Sequence, residues 1–268
     1  MTAIALTIAG TDPSGGAGIQ ADLKTFSALG AYGATVITAL VAQNTRGVTA
    51  IHEVPEDFIT AQMDSVFSDL VVNAVKIGML SRPEVIRTVA GGLDTWKQTN
   101  VVLDPVMVAA SGDTLLRPEA VATLIAELLP RARIVTPNLP EAAKLLDAPI
   151  ATTRAEIEAQ AEKILALGAQ AVLLKGGHGT GAESADLLLS ANGARWFTAP
   201  RHETQNTHGT GCTLSSAITA GLARGLALEE AVAAAKIYVT EAIKAADTLK
   251  IGQGHGPVHH FYRLWPQA

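Results

Sequence analysis

The chain has 268 residues, 48% of them hydrophobic and 17% charged, with a formal net charge of −5. Such a composition excludes the disordered class and allows a substantial core, and the length suits a single α/β domain over residues 1–268. The acidic balance argues against nucleic acid as the main partner, the one cysteine (Cys212) excludes an internal disulfide and gives no sign of an oxidising compartment, and no apolar run approaches the ~20 residues of a membrane span. The location expected is cytoplasmic.

Strand-like and helix-like segments alternate from end to end. Residues 3–9 form a short apolar run without preceding Lys or Arg, read as a buried first strand and not as a signal peptide. Residues 17–29 carry Ile19, Leu23, Phe26 and Leu29 at helical spacing, with Gly30 as the stop. A strand is expected over 34–41, a helix over 57–70, a strand over 75–79, a helix over 84–96 and a strand over 101–103. A helix over 118–129, with Pro118 in its first turn, precedes a strand over 134–136. Helices follow over 140–146 and 155–167, then a strand over 171–174. Segments 186–190 and 195–199 read as a hairpin around Asn192-Gly193. Two helices, 213–224 and 228–246, close the chain. Short apolar strands without clean alternation are those buried on both faces, so the pattern predicts a mainly parallel sheet between helical layers. Ligands in such folds bind beyond the carboxyl ends of the strands. That directs attention to Asp12, Gln43, Asp104, Asn138 and Lys175.

Two glycine-rich motifs stand at strand-to-helix junctions. Residues 9–18, AGTDPSGGAG, permit close backbone approach to a ligand; a tight turn without a ligand accounts for them equally well. The run Gly16 to Ala21 fits the loose dinucleotide pattern, but Gln43 stands where that fingerprint needs an acid, so an NAD site is rejected. Residues 206–215, NTHGTGCTLS, place Gly209 and Gly211 just ahead of an apolar helix. Backbone N–H groups there, with the positive helix end, suit a phosphate in transfer. Cys212 falls where the helix dipole would favour a thiolate. A buried cysteine after a Gly-rich turn is the alternative, and the flanking glycines and hydroxyls favour function. Gln43 has its own argument: a carboxamide donates and accepts side by side, matching the ring nitrogen and exocyclic amine of an aminopyrimidine as glutamine matches adenine. His255, His259 and His260 do not make a metal site, because Pro257 breaks the spacing and no acid or cysteine joins them.

The stretches at residues 7–22, 38–45, 76–80, 102–107, 136–142, 175–178, 206–215 and 256–260 together resemble the hydroxymethylpyrimidine/phosphomethylpyrimidine kinases of thiamine biosynthesis, in the ribokinase-like superfamily. The resemblance implies a ribokinase-like three-layer αβα sandwich. It implies an ATP- and Mg²⁺-dependent kinase that phosphorylates an aminopyrimidine alcohol and then its monophosphate. Pyridoxal-type alcohols are the alternative acceptor within the superfamily, and a nucleotide-binding sensor without turnover is the reading from another class. Asn138, Lys175 and Thr207 would bind ATP. Asp104 and Glu141 would serve the metal, as Mg²⁺ favours one or two carboxylates plus water and phosphate oxygens. Gln43, Asp22, Met79 and Val106 would form the acceptor pocket. Gly209, Gly211 and Cys212 would be catalytic, with the thiol standing where the wider superfamily has an aspartate base. A homodimer is also implied. Local alternatives are an N-terminal helix acid for Glu141, a solvated lysine for Lys175, a solvent-facing acid for Asp22, and plain core packing for Met79 and Val106.

Overall fold

The structure is a computed structural model that describes residues 1–107, 116, 118–177 and 181–265. His178, the end of one matching stretch, lies outside the described residues. The elements are β1 (Ile4–Gly10), α1 (Gly18–Ala28), β2 (Tyr32–Asn44), β3 (Gly47–Glu53), α2 (Glu56–Phe67), β4 (Ala74–Ile77), α3 (Pro83–Thr95) and β5 (Val101–Leu103). They continue with α4 (Pro118–Glu127), β6 (Ile134–Val135), α5 (Leu139–Leu145), α6 (Arg154–Ala166), β7 (Ala171–Leu174), β8 (Glu183–Ser190), β9 (Gly193–Pro200), α7 (Thr210–Ala223) and α8 (Leu228–Lys244).

The strands form one nine-stranded sheet in the order β3-β2-β1-β4-β5-β6-β7-β8-β9. From β2 to β7 every pairing is parallel, and β3, β8 and β9 are antiparallel edge additions. Helices cover both faces, giving the expected three layers. One core collects Ile59, Met63 and Phe67 of α2, Val85, Ile86, Val89 and Leu93 of α3, and buried residues of α4 to α6. The other joins Phe26 of α1 to Leu214 and Ile218 of α7 and to Val232, Ala235 and Val239 of α8. The reason is visible in α3, where Pro83 occupies the first turn and Val85, Ile86, Val89, Ala90 and Leu93 are buried at i, i+3, i+4 spacing. Each of the buried Val, Ile and Leu side chains contributes about 1.5–3 kcal/mol on burial.

Two departures from the sequence reading bear on the site. The first is β3, absent from the expectation. Its residues 49–52 are exposed, so no buried face imposed a period of two on that segment. It pairs with an extended β2 through a register shift at Ala42/Gln43, which ends the hairpin close to the cleft. The second is α7, which begins at Thr210 with Gly209 as its N-cap and not at residue 213. Gly211 and Cys212 therefore lie inside the first helical turn. The chain leaves β1 for β2 on one side and reaches β4 on the other, so a topological switch point lies at the carboxyl ends of β1 and β4, the standard ligand crevice of such sheets.

Candidate active site

One side of the cleft starts at the end of β1. Asp12 is fully buried and organises its own loop. Its Oδ1 accepts from the Ser14 N–H (2.9 Å) and hydroxyl (2.7 Å), and its Oδ2 accepts from the Gly16 N–H (3.1 Å) and Ala17 N–H (2.7 Å). His208 Nε2 lies 2.7 Å from the same Oδ2, which ties this loop to the second glycine motif. Burial alone would raise the Asp12 carboxyl, but the His208 and Ser14 hydrogen bonds win and lower it to about 2. Two glycines are required here. Gly209 has φ +78, and a Cβ on it would overlap the Gly16 carbonyl; a Cβ on Gly18, at φ +55, would sit 2.6 Å from the Gly10 carbonyl oxygen.

Ala39, Val41 and Met79 form a small apolar cluster separate from the two main cores, with Val48 and Val106 packed against it. It lies at the carboxyl ends of β2, β4 and β5, beside the half-buried Gln43. Thr11 frames it, accepting from the Val41 N–H through Oγ1 (2.9 Å), and so does Thr38, whose hydroxyl donates to the Met79 carbonyl (3.0 Å). The structure thus brings Met79 and Val106 together, and Val48 of the same cluster pairs with Gln43 across the β2–β3 hairpin. Membership of a detached patch at a strand end distinguishes Met79 and Val106 from ordinary core residues.

Asp22 is not the solvent-facing acid of the alternative reading: it is fully buried. It accepts from Thr7 Oγ1 and Ser216 Oγ, each at 2.6 Å, and from Lys76 Nζ at 2.9 Å. The Lys76 ammonium is itself fully buried; burial opposes its charge, but Asp22 raises its pKa well above the ordinary lysine value. Lys76 was not singled out from the sequence, though a lone lysine in the apolar strand Ala-Val-Lys-Ile must find an acid partner.

The opposite side of the cleft is built from β5, β6 and β7. Asp104 is 1% exposed. Its Oδ1 accepts from Lys175 Nζ (2.8 Å) and the Thr136 hydroxyl (3.1 Å), and its Oδ2 from the Ser215 hydroxyl (3.1 Å). Burial would raise this carboxyl, but Lys175 and then Lys76 hold it below the usual range. Asn138 caps α5 reciprocally with Glu141: Asn138 Oδ1 accepts from the Glu141 N–H and Glu141 Oε2 from the Asn138 N–H, both at 2.8 Å. Burial, reinforced by Asp104, raises the Glu141 carboxyl although Lys175 lies 3.9 Å away. The solvated alternative for Lys175 fails, since its side chain is only 12% exposed. Burial opposes its charge, while Asp104 and Glu141 keep it ionised.

The first turn of α7 joins the two sides. A Cβ built on Gly211 would lie 3.3 Å from Lys175 Nζ and 3.9 Å from Asp104 Oδ2, so Gly211 in this turn stands directly against the Lys175–Asp104 pair. Thr210 closes the turn by donating to the Thr207 carbonyl, from N (3.2 Å) and from Oγ1 (2.7 Å), while the Thr207 side chain is exposed. Cys212 corrects an expectation. It is crowded by protein atoms beneath a partial opening, and burial pushes the thiol up to about 11, against the pull of the buried Lys76 ammonium and the Gly18 N–H. Desolvation outweighs the helix end and favours the neutral thiol. Among the described residues no group of three or more His, Cys, Asp or Glu is arranged to hold a metal ion. The donors present, two carboxylates converging on Lys175, are the set that a phosphate-bound Mg²⁺ needs and not a protein cage. Among the described residues no helix is long and apolar enough to cross a membrane.

The family model described as phosphomethylpyrimidine kinase matches residues 12–259. A hydroxymethylpyrimidine/phosphomethylpyrimidine kinase of Rhizobium meliloti (strain 1021) is 63% identical over 265 residues, covering 99% of each chain. Among solved structures, a phosphomethylpyrimidine kinase from Clostridium difficile 630 has a TM-score of 0.79 at 47% identity, covering 89% of this chain and 98% of its own. A Bacillus subtilis pyridoxal kinase, solved as an ADP complex, has a TM-score of 0.90 at 39% identity, covering 99% and 100%.

Proposed function

Because the chain belongs to the phosphomethylpyrimidine kinase family, we propose that it transfers phosphate from ATP to 4-amino-5-hydroxymethyl-2-methylpyrimidine, and then to the resulting monophosphate, on the route to thiamine diphosphate. The observation that carries this is the first turn of α7, whose Gly211 faces the Lys175 ammonium while the same loop is tied through His208 to the acceptor-side Asp12. One anion-binding turn thus stands between a cationic nucleotide side and an apolar acceptor patch.

Phosphoryl transfer depends on positioning and charge neutralisation more than on covalent chemistry. The N–H groups of Gly209, Gly211 and Cys212 would hold the migrating phosphoryl group, and Lys175 would neutralise it. Asn138, Lys175 and Thr207 would bind ATP. Asp104 and Glu141 would hold Mg²⁺, which supplies charge neutralisation on the phosphates. Gln43 would read the pyrimidine edge between Met79 and Val106. Asp22 would act at the pocket floor through Lys76. The neutral Cys212 thiol suits the second transfer, because a monophosphate acceptor meets no fixed negative charge there and needs no base. In the first transfer the acceptor hydroxyl oxygen bonds to the γ-phosphorus, the bond to ADP breaks, and the hydroxyl proton goes to the thiolate form of Cys212. The whole chain would act as a single kinase domain, and a cytoplasmic homodimer is proposed on resemblance alone.

The test is ADP release from ATP·Mg²⁺ with the aminopyrimidine alcohol, its monophosphate, pyridoxal or no acceptor. Turnover with the two pyrimidines is expected. Turnover with pyridoxal alone would assign the chain to the chemistry of its structural neighbours, and release without an acceptor would make it an ATPase.

A further inference from the structure

A second buried ion pair lies outside the site just described, and the transfer chemistry makes no use of it. Asp186 of β8 and Lys236 of α8 are 4% and 7% exposed and meet at 2.8 Å. Lys236 Nζ also donates to Ser184 Oγ at 3.0 Å. The other Asp186 oxygen, Oδ1, accepts from the Gly176 N–H at 2.9 Å. Gly176 follows Lys175 directly and lies flat on β8, where any Cβ would overlap the Ala185 carbonyl oxygen. Each charge here is costly to bury, and replacing both with apolar residues would often cost nothing or even stabilise the fold. The pair is therefore poorly explained as a stability device. What it does achieve is to fix a carboxylate oxygen against one peptide, the peptide that sets where the Lys175 side chain departs from β7.

Resting on the proposed function, we infer that Asp186, its buried charge neutralised by Lys236, is a positioning residue for nucleotide binding: its Oδ1 anchors the Lys175–Gly176 peptide so that the Lys175 ammonium meets the nucleotide phosphates. Neither residue touches the reacting atoms.

Two double variants separate this role from a structural one. Asp186→Asn/Lys236→Met removes both charges but keeps an oxygen that accepts from Gly176. Asp186→Leu/Lys236→Met removes the acceptor as well; Asp186→Ala/Lys236→Met replaces it if the leucine variant does not fold. ADP and AMP-PCP binding are measured by calorimetry on each protein, together with the KM for ATP, the KM for the aminopyrimidine and the melting temperature. The variant without the acceptor is expected to bind nucleotide roughly tenfold more weakly, the size of one hydrogen bond to a charged group. Its KM for the aminopyrimidine should be unchanged, and the Asn variant should stay near wild type. Equal nucleotide affinity in all three proteins overturns the inference, and so does an equal loss in both variants. Wild-type protein that binds neither nucleotide overturns the proposed function along with it.

Discussion

Substituting alanine at two glycines of one turn should have opposite consequences. Gly211 occupies the second position of α7 with ordinary helical φ; its Cβ would meet no backbone, only Lys175 Nζ at 3.3 Å and Asp104 Oδ2 at 3.9 Å. Alanine in a helix is favoured over glycine by about 0.5–1 kcal/mol. The flexible end of Lys175 can yield a few tenths of an ångström, so Gly211→Ala should fold at least as well as wild type. In a domain of this size that gain amounts to about 1–4 °C in Tm. The N–H of residue 211 survives the change, but on the proposed function the methyl group would stand between the turn and the migrating phosphoryl group and push it off its donors. Losing contact with one preorganised donor costs about 10²–10³ in rate, so kcat/KM should fall by about that factor for both transfers. Gly209→Ala behaves differently. Its φ is +78 and its Cβ would overlap the Gly16 carbonyl, so left-handed strain of about 1–3 kcal/mol adds to a backbone clash and Tm should fall. Thermal melts and single-step ADP-release assays on both proteins give the answer. Gly211→Ala protein with wild-type Tm and wild-type kcat/KM would refute the placement of the phosphoryl group at this turn.

Asp12 provides a pH test. Its folded pKa is depressed from 3.8 to about 2, so its stabilisation is fully present above the unfolded value and is lost as pH falls through the folded one. Asp12→Asn should lower stability at pH 7 by about 2 kcal/mol and flatten the acid limb of a denaturation curve; an unchanged acid limb would contradict it. Gln43→Glu turns a donor into an acceptor facing the pyrimidine, and discrimination should drop by about 1–3 kcal/mol; wild-type kcat/KM for the aminopyrimidine would exclude the pairing. Cys212 has a pKa raised to about 11, so alcohol phosphorylation should speed up as pH rises from 7 towards 10. Cys212→Ala should abolish that slope and cut the alcohol step more than the monophosphate step; equal losses in separate single-step assays would show that the thiol does not act on the alcohol proton. Loss of activity in Asp104→Asn or Glu141→Gln should be partly relieved by excess Mg²⁺, read from the Mg²⁺ dependence of ADP release; no relief would place those carboxylates outside metal binding.

The parallel sheet was legible because β1, β4, β5 and β7 are short apolar runs with no polar face, and the helices between them carry clean buried stripes. β3 was not legible, since an exposed edge strand has no burial constraint to print a period on it. The glycine motifs and the strand-end residues Gln43, Asp104, Asn138 and Lys175 could be found one by one. What a linear pattern does not carry is pairing across long separations. Asp12 meets His208, Asp22 meets Ser216, and Asp104 meets Ser215; the first two pairs unite the two ends of the chain and the third joins its middle to α7. The thiolate expected of Cys212 from its helix position was opposed for a related reason: helix position is local and readable, whereas burial, which raises the thiol, is set by tertiary packing.

The most direct measurement is a time course of products from the aminopyrimidine alcohol with excess ATP·Mg²⁺, resolved by mass and matched to ADP released. A monophosphate that rises and then converts to the diphosphate, with two ADP per acceptor, is the predicted result. A reaction that halts at the monophosphate with one ADP, or that leaves the pyrimidine untouched while consuming pyridoxal, would contradict a single site serving both transfers.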